Sequence, residues 1–170
     1  MRYFIELSYN GKKYHGWQIQ PDAISVQEKL NNAISTIFQE DIQVVGAGRT
    51  DTGVHASQMF AHFDIKMDLK KNIVFKLNSI LPNDISVHQV FLVDEEKHVR
   101  FDAISRSYEY KIWLGRNPFL LDFSWQIHSQ NLDVNLMNEA AKILLEYTDF
   151  QTFSKVKTDV FTFNCDVTEA

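Results

Sequence analysis

Cysteine is nearly absent: Cys165 is the single one in 170 residues. One thiol cannot close an internal disulfide, which fits a reducing compartment, and metal sites built on clustered cysteines are excluded. Long apolar runs are missing as well. From Met1-Arg2-Tyr3 the chain passes into Phe4-Ile5-Glu6 without developing the apolar region of a signal peptide. Nowhere does it approach the roughly 20 uncharged apolar residues of a membrane span. No membrane partner is therefore expected, and the cytoplasm is the expected compartment. Nor is there low-complexity sequence, and 45% hydrophobic with 23% charged residues suffices for a sizeable core in one domain or a little more. Positive charge is also in deficit, with 17 Lys and Arg against 22 Asp and Glu for a net −5. Taken whole, this balance argues against a phosphate-rich partner, whose binders carry a basic footprint. Local distribution is different. Lys12, Lys13, Arg49, Arg100, Arg106, Lys111 and Arg116 gather around polar motifs, while Glu40, Asp41, Asp94, Glu95 and Glu96 lie elsewhere.

What the chain does have is concentrated in Gly46–Ala56, GAGRTDTGVHA. Its glycines allow positive φ or close backbone approach, and between them Arg49 stands beside Asp51. A neighbouring guanidinium favours the ionised carboxylate, so Asp51 is a candidate nucleophile or base, with Thr50 and Thr52 able to hydrogen-bond within the loop and His55 close behind. The plain alternative is a polar turn containing an Arg/Asp ion pair.

Periodicity places this run between two strands. Arg2–Tyr9 alternates as a strand and stops at Asn10-Gly11. Ser25-Val26-Gln27-Glu28 is a capping box, and Val26, Leu30, Ala33, Ile34, Ile37 and Phe38 follow at helical spacing through Gln39. Strands are expected at Ile42–Ala47 and Gln58–Ile65, the latter with His62 and Asp64 outward. A helix over Lys70–Ser79 and a strand over Ile85–Val93 complete a βαββαβ order. Such an order is a ferredoxin-like α+β unit, an antiparallel sheet with both helices on one face. After it the spacing predicts a strand over Ser105–Leu114, a helix over Val134–Tyr147 with Leu136, Met137, Ala140, Ile143 and Leu144 inward, and a strand over Val160–Thr168 burying Phe161, Phe163, Cys165 and Val167. The organisation reads as residues 1–95, a unit carrying the central loop, and 96–170, the first part of a second α/β repeat that stops halfway.

Two further motifs stand out. The loop Lys12-Lys13-Tyr14-His15-Gly16-Trp17-Gln18 combines cations with large rings, suited to stacking bases and holding phosphate, or to capping the core. The run His98-Val99-Arg100-Phe101-Asp102-Ala103 precedes Arg106, Tyr108 and Tyr110. From periodicity alone Tyr108 is a half-buried strand aromatic.

The central run resembles the signature of the tRNA pseudouridine synthase A family, GRTDxGVHA, at every fixed position, with Thr52 in the variable slot. Tyr14, Gly16, Trp17 and Gln18 match that family's YxGWQ element. The two later runs look like its HARFSA and RxYxY pieces, with Val99 where alanine is usual and Asp102 where serine is common. This resemblance implies that Asp51 is the catalytic nucleophile and that Tyr108 stacks on the target base and relays a proton. It implies that Arg49, Thr50, His55, Tyr14, Trp17, Gln18, Arg100 and Arg106 serve the RNA. The implied protein is a cofactor-free isomerase of uridine in the tRNA anticodon arm, a homodimer of subunits with two related halves, whose remaining active-site residues lie beyond this chain. The truncated chain alone is then expected to be inactive.

Other chemistries are weaker. Asp51, His55, His62 and Asp64 are metal-ligating types, but their spacing matches no compact ligand set, so no metal is expected. A non-catalytic RNA-recognition module would carry an aromatic K/R-G-F/Y-G/A-F-V-x-F/Y motif, which does not occur. A non-catalytic RNA-binding or dimerisation fragment remains an alternative.

Overall fold

Alternation in Arg2–Tyr9 produces the central strand, β1 (Arg2–Tyr9), whose Tyr3, Ile5, Leu7 and Tyr9 are buried while their neighbours are half-exposed. The structure is a computed structural model that describes residues 1–128, 131–154 and 162–170. They pack as two units, Met1–Glu109 and Tyr110–Ala170.

In the first unit, helix α1 (Val26–Phe38) starts where Ser25 Oγ accepts the Glu28 N–H at 3.2 Å, and it ends at Gln39, whose φ is 56°. Its Val26, Leu30, Ala33 and Ile34 enter the core. The next strand, β2 (Val45–Gly46), is shorter than the expected 42–47 because α1 side chains have taken the preceding backbone groups. Asn31 Oδ1 accepts the Val44 N–H at 3.0 Å, Gln27 Nε2 donates to the Val44 carbonyl at 2.8 Å, and Ser35 Oγ accepts the Ile42 N–H at 3.0 Å. Backbone satisfied by side chains has no need of a partner strand. Then come β3 (Ala56–Asp64), α2 (Ile73–Ile80) and β4 (Ile85–Val93).

The four strands form one sheet in the order β2-β3-β1-β4, every neighbouring pair antiparallel. This is the expected α+β, βαββαβ arrangement of two interleaved split units. Both helices contribute to a single core cluster with Tyr3, Ile5, Leu7 and Phe63. The opposite, helix-free face carries Phe4, Glu6 and His62. There Glu6 accepts from Gln58 Nε2 at 2.6 Å and from Gln89 Nε2, and these two amides hold its carboxyl below the usual carboxylate range.

His62, expected outward, is 3% exposed. The reason is that residues 97–102 fold over it, so the stretch 96–109 packs with the first unit and Val99 is itself buried.

The second unit departs further from the periodic reading. Residues 103–111 form no strand, and only β5 (Ile112–Leu114) does, paired in parallel with an unforeseen β6 (Trp125–Ile127). Helix α3 (Val134–Leu144) is capped by Asp133 Oδ1, which accepts the Asn135 and Leu136 N–H groups at 3.0 and 3.1 Å. Its apolar residues are not inward: Leu136, Met137, Ala140 and Ile143 are exposed and Leu144 is half-buried. Two three-residue strands offer too little surface to cover them. The strand expected at Val160–Thr168 lies partly outside the described residues. In its described part Asn164 makes one bridge with Asp149, and Cys165 is exposed rather than buried. Among the described residues no helix is long and apolar enough to cross a membrane.

Leu30, wholly buried at the centre of the first core, and Leu136, exposed on α3, should separate cleanly under truncation. In urea unfolding, Leu30→Ala should cost about 2–5 kcal/mol, whereas Leu136→Ala should stay within roughly 0.5 kcal/mol.

Candidate active site

The run GAGRTDTGVHA starts on the last residue of β2 and ends on the first of β3, so Asp51 occupies a strand-to-strand loop. A turn closes at the acid, with the Val54 N–H donating to the Asp51 carbonyl at 3.2 Å. The loop is held by the segment that follows β1. Trp17 N–H donates to the Thr50 carbonyl at 3.0 Å, Gly53 N–H donates to the Tyr14 carbonyl at 3.2 Å, and Gly11 N–H donates to His55 Nδ1 at 3.1 Å. Tyr9 and Thr50 hydroxyls meet at 2.9 Å. These contacts require backbone against backbone. A Cβ on Gly16, at φ +85°, would stand 2.2 Å from the Thr50 oxygen, and one on Gly11 would stand 1.9 Å from the Val54 oxygen. Only glycine permits either approach.

The YxGWQ element is thereby a clamp. Tyr14 and Trp17 are both buried, so neither ring is presented to a base, and Gln18 alone of the three is exposed. Tyr14 donates its hydroxyl to Asp84 Oδ1 at 2.5 Å, and burial followed by that carboxylate pushes the phenol up. Trp17 packs on Tyr9, with ring centroids 6.1 Å apart.

Of the other expected residues, Arg49 and Asp51 are exposed on the loop, with Thr50 and His55 half-buried beneath. Arg106 is drawn to the same place: its Nη2 donates to the Ala47 carbonyl at 2.9 Å and to the Arg100 carbonyl at 2.8 Å. Arg106 thus ties the loop's first residues to the 97–102 segment. Arg100 itself is exposed, its guanidinium 5.9 Å from the Phe101 ring centre. Tyr108 is 81% exposed on irregular backbone, and no hydrogen bond joins it to the loop among the described residues. Exposed cations at Lys12, Arg49 and Arg100 and a carboxylate at Asp51 give the rim of this unit the chemistry to meet a polyanion and to attack or deprotonate a bound group. Among the described residues no three His, Cys, Asp or Glu side chains gather as a metal set.

The enclosure of His62 has no counterpart in the periodic reading of β3. Its Nδ1 accepts the Val99 N–H at 3.3 Å, its ring stacks on Phe4 at 5.9 Å, and the His98 ring meets it edge-on at 4.8 Å. The signal available was the HVRFDA run, whose apolar Val99 needs a surface to bury against.

Gly16→Ala should destabilise the protein by about 1–3 kcal/mol or more from strain alone. Gly53, at φ +80° with nothing near a built Cβ, should lose only about 1 kcal/mol on the same change. Urea unfolding of the two variants measures the difference.

Burial, and then the Arg2 and His98 charges, pushes His62 down to about 4. The unfolded chain, with an ordinary imidazole near 6.5, takes up the proton first, so the stabilisation is complete above that pH and is lost as pH falls towards 4. Unfolding free energy should therefore rise with pH across this window. A His62→Asn variant should lose that part of the slope, as urea titrations at a series of pH values would show.

A family model described as tRNA pseudouridine synthase matches residues 7–102, from β1 to the end of the segment over His62. Over 99% of its length the chain is 50% identical to the tRNA pseudouridine synthase A of Bacteroides fragilis, covering 68% of that protein. It is 49% identical to that of Bacteroides thetaiotaomicron, covering 63%, and 36% identical over 92% of its length to that of Aquifex aeolicus, covering 66%. The chain thus spans about two thirds of these relatives. With more than half of its residues matched by the family model, and half of them identical in a protein of which it covers two thirds, the chain belongs to the tRNA pseudouridine synthase family.

Proposed function

We propose that the protein isomerises uridine to pseudouridine in the anticodon arm of tRNA, with Asp51 as the reacting carboxylate. The observation that carries this reading is the exposed Arg49–Asp51 step on a loop fixed from beneath by the 11–17 segment. Preorganisation of this kind is what a reacting group needs, since misplacement by an ångström costs about a hundredfold in rate. A uridine in a stem must leave the stack before its glycosidic bond is reachable, and stacking on an exposed aromatic such as Tyr108 and on the Arg49 guanidinium offsets the few kcal/mol of flipping. Asp51 then acts as nucleophile or base, the N1–C1′ bond breaks, the uracil turns, and C5 bonds to C1′ while N1 gains the proton C5 gives up. Reactant and product are isomers, so no cofactor is consumed. Arg100, Gln18 and the lysines 12 and 13 face the tRNA backbone. The working protein is a cytoplasmic homodimer holding tRNA across both subunits, and the part of its relatives that this chain does not span supplies the opposite wall of the cleft.

The bare apolar face of α3 favours a second reading for this chain taken by itself, a non-catalytic binding or dimerisation fragment. A pure binder would show salt-dependent tRNA affinity with no turnover.

In the intact protein, Asp51→Asn should lower pseudouridine formation by about a thousandfold or more while tRNA affinity stays within roughly threefold. Conversion by this variant would remove Asp51 from its role. Tyr108→Phe separates the two tasks of that ring, because only proton relay needs the hydroxyl; tritium release from labelled tRNA reads both variants.

A further inference from the structure

Asp64 and Arg2 form a two-pronged pair across the neighbouring inner strands β3 and β1, Nε to Oδ1 and Nη2 to Oδ2 both at 2.8 Å, leaving Nη1 to donate to the Lys97 carbonyl at 2.9 Å. That fixes one end of the 97–102 segment over the helix-free face. The segment is closed on itself, His98 N–H donating to Asp102 Oδ2 at 2.7 Å and Asp102 N–H donating to the His98 carbonyl at 2.9 Å. Its middle is held by one acceptor, His62 Nδ1, under the buried Val99. Its far side reaches the motif loop through Arg106, which joins the Arg100 and Ala47 carbonyls. A continuous set of contacts therefore runs from β3 through His62, Val99 and Arg100 to the start of the loop bearing Asp51.

We propose that His62 is a positioning residue for that loop: a neutral imidazole that accepts the Val99 N–H and so sets the place of the 97–102 segment, Arg100 and, through Arg106, Ala47. The proposal rests on the pseudouridine synthase reading for its catalytic consequence but not for the latch itself. An apolar residue at 62 would fill the space and leave the Val99 N–H buried without an acceptor, which is the costly way to lose a hydrogen bond. Asparagine places Oδ1 where Nδ1 stands and keeps the acceptor.

Three measurements on the intact protein test it. In the wild type, nitrogen chemical shifts of His62 should show Nε2 protonated and Nδ1 bare; a protonated Nδ1 overturns the latch without any mutation. Amide exchange at Val99 should speed up about tenfold in His62→Leu, the loss of one hydrogen bond, and return to near wild type in His62→Asn. The catalytic constant should fall about 10- to 100-fold in His62→Leu with a smaller change in KM, because placement rather than charge is lost, and His62→Asn should recover most of it. Equal behaviour of the two variants in exchange or in kcat overturns the proposal. Absence of turnover in the wild type would sink the enzymatic reading instead, with exchange and tautomer still deciding the latch.

Discussion

Backbone lying directly on backbone, at Gly16 against the Thr50 carbonyl and Gly11 against that of Val54, is the constraint on which the loop bearing Asp51 depends. Each contact brings two peptide planes closer than any side chain allows, and the hydrogen bonds from Trp17, Gly53 and Gly11 then close between the same two segments. The rings of Tyr14 and Trp17 fill the space below, so the loop rests on a packed floor rather than on water. What looks in the sequence like an aromatic recognition element is thus the base of the loop, and the polar atoms that face outward belong to Arg49 and Asp51.

The sheet that carries these loops is used on both sides for different ends. One face buries Tyr3, Ile5, Leu7 and Phe63 against α1 and α2, which is ordinary hydrophobic stabilisation. On the other, the 97–102 segment lies over Phe4 and His62, and Glu6 is gripped between two glutamines. Histidine suits the first of these positions because burial keeps it uncharged and so able to accept.

How much of this was readable depended on whether neighbours in sequence or neighbours in space decided the outcome. The period of two in Arg2–Tyr9 and of 3.6 in α1, with Ser25 as its cap, follow from local chemistry and hold to within a residue. The antiparallel sheet with both helices on one face follows too, since βαββαβ leaves few ways to interleave. Residues 42–44 have the pattern of a strand, but Asn31, Gln27 and Ser35 offer their backbone other partners, a competition no periodicity reveals. Alternation puts His62 outward, since it names the faces of a strand but not what covers them. For α3 the same blindness acted in reverse, predicting burial for a stripe that nothing described covers. At the candidate site, the loop position of Asp51 and Arg49 between two strands is legible from the sequence, and the placing of Arg106 and the enclosure of Tyr14 and Trp17 are not, because those depend on contacts between segments far apart in the chain.

The bond from Trp17 to Thr50 joins a segment before α1 to one after it. Neither can adopt its final shape until the strand pairing and the intervening helix have brought the two together, so the loop has no independent route to order and forms only with the cooperative unit. Its opening free energy is accordingly tied to that of the whole core rather than to local fraying. Surface loops usually trade rigidity for freedom to vary; here the exposed carboxylate inherits the persistence of the interior.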